Sequence, residues 1–288
     1  MNSATKKTNL AIIGGSGVYN LERMTFLEEV TVETPFGSPS DKIGRFCLKD
    51  QPESVFFFLA RHGKSHSISP SEINYRANIF ALKKLGVEFI LSVSAVGSLQ
   101  EELAPGTFVF PSQFIDWTKG LRKRSFFGEG MVGHVSTANP VEQTLQQSLG
   151  VICQNLQIPY SVGGSYVCIE GPQFSSKAES QIYRSFGASV IGMTNVPECY
   201  LAKEAGMAYA TLAMVTDYDC WKDHHCSLQE IMDVMKGNYQ TSQKVIEKFL
   251  LDFKKLSLTV TKENQMAVVT KPEALSERHH EILEVLLK

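Results

Sequence analysis

Six short apolar runs, at residues 10–13, 55–59, 89–93, 108–110, 166–169 and 208–215, constrain this chain more than any other feature of its sequence. Each has the length of a strand, not a helix, and amphipathic stretches separate them. That is the pattern of buried strands alternating with helices, and it predicts an α/β fold. Helix-start signals fall between the runs. Ser69, Pro70, Ser71 and Glu72 read as an N-cap, a first-turn proline and a capping-box glutamate, with Ile73, Ala77, Phe80 and Ala81 on one face and Gly86 as the stop. Similar starts stand at residues 176–179, ahead of Ile182 and Phe186, and at 227–230, ahead of Ile231 and Met235.

No linker or repeat divides the 288 residues. One domain is expected over residues 1–256, with an extension at 257–288 in which Leu275, Ile282, Leu283 and Leu286 fall near helical spacing. That helix can cover its own core or a neighbouring subunit. A formal charge of −2 gives no basic field for nucleic acid or an anionic membrane, so an anion must be captured by a local pocket and the expected ligand is a small molecule. The first apolar run is too short for a signal-peptide core and no stretch is long enough to span a bilayer, so the expected location is cytoplasmic. Six cysteines without a CxxC pair read as reduced core residues. Cys220, His224, His225 and Cys226 lack zinc-site spacing, and no metal is expected.

Chemistry collects at the strand ends. Gly14, Gly15, Ser16 and Gly17 follow the first run, where backbone N–H groups and a hydroxyl can close on an anion. Arg61 and His62 end the second run, and Ser94, Ala95 and Gly97 end the third; together these groups describe an oxyanion pocket at the carboxyl edge of a sheet. The last run ends in Thr216, Asp217, Tyr218 and Asp219, whose carboxyls, two residues apart, can face one ligand. For a purine, a protonated carboxyl donates to ring N7 while the other accepts from an exocyclic amine. Solvated loop aspartates or a magnesium site are the alternative readings of that pair.

The segments GGSG, TPFGSPSD, LARHGKSH, INYRANI, SAVGSL, PSQFIDWT, IEGPQFSSKAES, GMTNVPE and TDYDCWKD occur in an order that resembles the 5′-methylthioadenosine phosphorylases, from about residue 12 to 221. The resemblance implies the nucleoside phosphorylase fold, a mixed β-sheet flanked by helices, assembled as a homotrimer or a pair of trimers. It implies no metal or organic cofactor, with inorganic phosphate as co-substrate. By the same resemblance, phosphate is held by Ser16, Arg61, His62, Ser94, the backbone at Ala95, and Thr194. Ribose lies against Met193, and the base near Phe174 and Ser175 with Asp217 and Asp219 at its N7 and amino edge. His134 is expected to reach a neighbouring subunit's substrate. Leu228 stands where phosphorylases of 5′-hydroxyl nucleosides tend to carry histidine, which implies an apolar 5′ pocket built from Leu228, Ile231 and Met232. Ser16 replaces the threonine of many relatives, and Gly192 the asparagine of some.

The expected reaction is phosphorolysis of S-methyl-5′-thioadenosine to adenine and 5-methylthioribose 1-phosphate. Arg61, Ser16, Ser94 and Thr194 position the nucleophile and Asp217 acts as general acid. Arg61, as the cation of this set, is expected to serve phosphate without being needed by the fold. The alternative is a purine nucleoside phosphorylase acting on 5′-hydroxyl nucleosides or methylthioinosine, against which the TDYD segment argues. A dinucleotide oxidoreductase is disfavoured by the missing third glycine of its fingerprint. A non-catalytic purine sensor shares every binding residue.

Overall fold

The computed structural model describes residues 9–15, 23–222, 228–260 and 262–288, and among them one mixed sheet of 11 strands runs through the molecule. The strands are β1 (Leu10–Gly14), β2 (Met24–Val30), β3 (Ile43–Leu48), β4 (Gln51–Ala60), β5 (Phe89–Ser98), β6 (Phe108–Phe110), β7 (Gln113–Trp117), β8 (Tyr160–Val162), β9 (Ser165–Ile169), β10 (Val190–Gly192) and β11 (Ala208–Tyr218). The helices are α1 (Tyr75–Lys84), α2 (Gln143–Asn155), α3 (Lys177–Ser185), α4 (Asn195–Glu204), α5 (Leu228–Asp252) and α6 (Glu277–Leu286). All six apolar runs lie within strands, as expected of an α/β chain.

Both faces of the sheet are covered, which is why these runs are continuously apolar instead of alternating. Along β1, Ala11 and Ile13 join a cluster with α1, α4 and α6, whereas Leu10 and Ile12 join one with α2 and α5. The two-residue period of the strand makes that division.

Strand β5 organises the site. Its first residues pair with β1 in parallel, ending at Ile13 opposite Ser92, and its last pair with β10 antiparallel, starting at Ile191 opposite Gly97. Residues 93–96 therefore have a strand partner on one side only, where β11 runs alongside over the whole length. The neighbours on the other side diverge, and the cleft opens there.

Helix α1 starts later than expected. Its N-cap is Asn74, whose side chain accepts from Ala77 N at 3.1 Å. Glu72 does reach back to Ser69 N (3.1 Å), but the Ser71 hydroxyl is drawn to Glu170, so this turn serves a tertiary contact and does not begin the helix. On α3 the capping box from Ser176 to Glu179 forms in full. The two apolar residues expected on its buried face are not there, however: Ile182 and Phe186 are 44% and 46% exposed while Tyr183 is buried, and Phe186 packs against the exposed Trp117 at 5.2 Å between ring centroids. In the extension, Ser276 caps α6, and Ile282 and Leu286 are buried in the α1 side of the core, so this helix covers its own chain. Cys47, Cys153, Cys168, Cys199 and Cys220 are free thiols. Among the described residues no helix is long and apolar enough to cross a membrane.

Glu204, at the end of α4, is largely enclosed and accepts from Ser125 Oγ and Phe126 N, both at 2.7 Å. Burial pushes its carboxyl up to about 7, against those two hydrogen bonds. The folded chain therefore holds a proton that the unfolded chain releases near the ordinary glutamate range. Stability should fall by about 1–3 kcal/mol as pH rises from about 4.5 to about 7. Chemical denaturation across that window should show the decline in the unmodified chain and a flatter profile in Glu204→Gln.

Candidate active site

A cavity of about 580 Å³ lies in the cleft at the carboxyl ends of β1, β4, β5 and β11, within the size range of small-molecule sites. It is bordered at one end by Gly15, Arg61, His62, Ser94 and Thr194, and at the other by Asp217 and Asp219.

The first end is built on a buried ion pair. Arg61 is 2% exposed; its Nε donates to Glu198 Oε2 at 2.7 Å and its Nη2 to Glu198 Oε1 at 2.9 Å. Nη2 also donates to Ser92 Oγ (2.6 Å) and Nη1 to the Val93 carbonyl (3.1 Å). Burial works against the guanidinium's charge, but the Glu198 carboxylate outweighs it and Arg61 stays protonated. Of its five N–H groups, the second on Nη1 is left for a ligand among the described partners. The expectation that the fold does not need Arg61 is thus corrected. Removing it strands Glu198 in the core, a loss of about 3–5 kcal/mol.

His62 donates through Nδ1 to the Ile68 carbonyl at 2.9 Å, which leaves Nε2 as an acceptor. Burial, then the charge of Arg61, lowers its pKa to about 4, so the ring is neutral near pH 7. Ser94 and Thr194 bring their hydroxyls within 3.5 Å of each other, and Ala95 is exposed into the cavity from the unpaired edge of β5. Ser16 lies outside the described residues.

At the other end both carboxyls are shifted upward. Burial raises Asp217, Asp219 adds to the rise, and the Thr216 hydroxyl, donating to Asp217 Oδ1 at 2.6 Å, opposes it. Burial also raises Asp219. Nearby Ser180 and Ser175 temper that rise, yet Asp219 Oδ2 and both serine hydroxyls are buried without a hydrogen bond of ordinary geometry. Of these, Asp219 and Ser175 border the cavity, where a ligand's polar edge would complete them.

Phe174, Ser175 and Met193 also line the cavity, Phe174 with 70% of its surface exposed. From α5 the lining residues are Ile231, Met235 and Tyr239, four residues apart on one face. Met232, expected in the 5′ pocket, is a correction: one residue on from Ile231 lies about 100° round the helix, and its side chain is 51% exposed away from the lining. The Leu228 side chain lies outside the described residues, as do His224, His225 and Cys226. His134 is exposed on a loop held by its N–H to the Ala267 carbonyl (2.9 Å) and does not line the cavity of its own chain.

Sequence reasoning missed several supporting residues. Arg122 is buried and donates to Glu170 Oε1 (2.9 Å) and to the carbonyls of Met193 (2.7 Å) and Val196 (2.6 Å), fixing the loops that carry Phe174 and Met193. It stands in the segment LRKR, which reads as a solvated basic run. Tyr166 explains Gly192: a Cβ there would stand 1.9 Å from the Tyr166 hydroxyl, which is also 3.3 Å from Ser94 Oγ. Gly192→Ala should cost about 1–3 kcal/mol through overpacking. Denaturation midpoints should show that loss, and adding Tyr166→Met, a more pliable side chain, should recover most of it.

The sequence pattern described as Phosphorylase superfamily matches residues 9–251. The chain is 51% identical over 249 residues to the S-methyl-5′-thioadenosine phosphorylase of Rhodospirillum rubrum, covering 86% of this chain and 83% of that one. It is 44% identical to the protein of the same name from Synechocystis, covering 99% and 89%. Among solved structures, a methylthioadenosine phosphorylase from an antarctic soil metagenomic library superposes with a TM-score of 0.91 at 43% identity, covering 98% of this chain and 100% of that one. The Schistosoma mansoni methylthioadenosine phosphorylase in complex with adenine superposes with a TM-score of 0.80 at 35% identity, covering 86% and 93%.

Proposed function

The chain belongs to the phosphorylase superfamily, and we propose that it is an S-methyl-5′-thioadenosine phosphorylase, releasing adenine and 5-methylthioribose 1-phosphate. The observation that carries this reading is the polarity of one cavity, with a cation and hydroxyls at one end and two carboxyls of raised pKa at the other. A phosphate and a purine need opposite things from a protein, and this cleft offers each at its own end.

In the reaction, a phosphate oxygen forms a bond to the anomeric carbon as the bond from that carbon to the purine nitrogen breaks. The bonding pair leaves with adenine. Asp217, kept protonated by its burial, gives its proton to N7 and ends as the carboxylate, while Asp219 accepts from the exocyclic amine. Arg61 Nη1, Ser94, Thr194, the Ala95 N–H and Ser16 hold the phosphate beside the developing positive charge on the sugar. Neutral His62 can accept a hydrogen bond through Nε2 from the remaining P–O–H of hydrogenphosphate, which keeps its proton. No metal or organic cofactor enters this scheme. Ile231 and Met235 give the 5′ group an apolar wall, which suits a methylthio substituent and leaves a 5′-hydroxyl without a partner there.

Assembly belongs to the same proposal. Trp117, Ile182 and Phe186 form an exposed apolar band, a surface suited to another copy of the chain. We place His134 across such an interface, at the substrate of the neighbouring subunit of a homotrimer.

Adenine release from S-methyl-5′-thioadenosine, measured with and without phosphate, tests the reading directly: release that does not require phosphate rejects it. Rate should fall as pH rises through the raised pKa of Asp217, since the acid form is the donor, and Asp217→Asn should lose at least about 100-fold in kcat without that alkaline limb. A variant that keeps both the rate and the limb removes Asp217 from the role. For assembly, specific activity should drop on dilution as trimers dissociate, and His134→Ala should raise the nucleoside KM. Full activity in a monomer is the contrary result.

A further inference from the structure

The phosphate end of the cavity is short of donors. Arg61 has committed four of its five N–H groups to Glu198, Ser92 and Val93, so a doubly charged anion there draws mainly on hydroxyls and backbone. One further hydroxyl is aimed at this place. Asn238, buried on α5, donates from Nδ2 to the Val215 carbonyl of β11 at 2.7 Å, which fixes the rotation of the helix against the sheet. The next residue, Tyr239, is thereby turned into the cavity, two turns on from Ile231 and one from Met235. Its hydroxyl stands 3.7 Å from the position a Cβ on Gly15, the residue after β1, would occupy.

We propose that Tyr239 is a further phosphate-binding residue, donating its phenolic O–H to a phosphate oxygen seated between Gly15 and Arg61. The inference rests on the assignment of this end of the cavity to phosphate. Burial raises the phenol's pKa, with Arg61 opposing, so the group is a neutral donor throughout the working range and adds no negative charge beside the anion. The α5 stripe then follows the ligand's own gradient. Ile231 and Met235 meet apolar substituents, and Tyr239, about 12 Å along the helix from Ile231 at 1.5 Å per residue, meets the anion.

The test is steady-state kinetics on the full chain carrying Tyr239→Phe, which keeps the ring and deletes the donor, beside Ser94→Ala as a reference for the phosphate end. In Tyr239→Phe the KM for phosphate should rise about tenfold or more. The KM for S-methyl-5′-thioadenosine and the melting temperature without phosphate should stay unchanged, and the rise in melting temperature produced by added phosphate should shrink. An unaltered phosphate KM in Tyr239→Phe, with a raised one in Ser94→Ala, overturns the proposal and leaves the phosphate end in place. An unaltered phosphate KM in both variants removes that assignment and the proposal with it. A raised nucleoside KM with phosphate unaffected places Tyr239 on the sugar and also overturns it.

Discussion

The buried pair between Arg61 and Glu198 is the contact on which the rest of the site depends. Ser92 Oγ accepts from Arg61 and from Asn195 Nδ2 (3.0 Å) and donates to Glu198 Oε1 (2.7 Å), and the Tyr209 hydroxyl donates to the same oxygen at 2.8 Å. One carboxylate thus joins the end of β4, the middle of β5, the start of α4 and β11. Charges taken this far from water stabilise a fold only when every lone pair and proton is satisfied. Arg61 therefore spends most of its fork on structure, and any role toward a ligand is limited to what remains. The permanent positive charge at this end of the cavity comes as part of the fold itself.

The cleft arises from sheet geometry. Because β1 leaves β5 at Ser92 and β10 joins it only at Gly97, the stretch between them presents backbone to the cavity on the side away from β11, where no strand pairs with it. Unpaired backbone is costly when buried, and here one of its carbonyls, Val93, is taken by Arg61. Ligands of α/β sheets gather where neighbouring strands part at their carboxyl ends. Gly15, Arg61, Ser94 and Asp217 meet for that reason, although the chain separates them widely.

What the sequence made legible follows from which forces act locally. The buried strands announce themselves by continuous apolar runs, and the residues at their ends follow from the strand-end rule. The edge strand β2, mostly exposed, has no such run, and β10 is three residues long. Other features depend on tertiary contacts. Nothing in LRKR says that Arg122 is the member that goes inside, and nothing in the spacing of α5 chose Met235 over Met232 before the helix phase was known. Gly192 looked like a missing contact and is instead the space that Tyr166 fills.

The acid end shows how a small irregularity can set a carboxyl in a cavity. Strand β11 pairs Val215 with Val96 and Asp217 with Gly97, so Thr216 is an extra residue bulged from the ladder. A one-residue bulge reverses the alternation beyond it. Asp217 thereby takes the face opposite Val215 and enters the cavity, over a residue whose missing side chain leaves 3.5 Å between its would-be Cβ and Asp217 Oδ2. The displaced Thr216 hydroxyl then stands 2.6 Å from Asp217 Oδ1 and 3.2 Å from the Val96 carbonyl, with one proton for both. Given to the carboxylate, that proton leaves the carbonyl without it; when Asp217 carries its own proton, the hydroxyl can turn back to Val96. Stabilisation of the ionised acid by Thr216 is thus partly offset, and burial remains the larger influence, so the raised pKa that the proposed proton donor needs follows from the bulge.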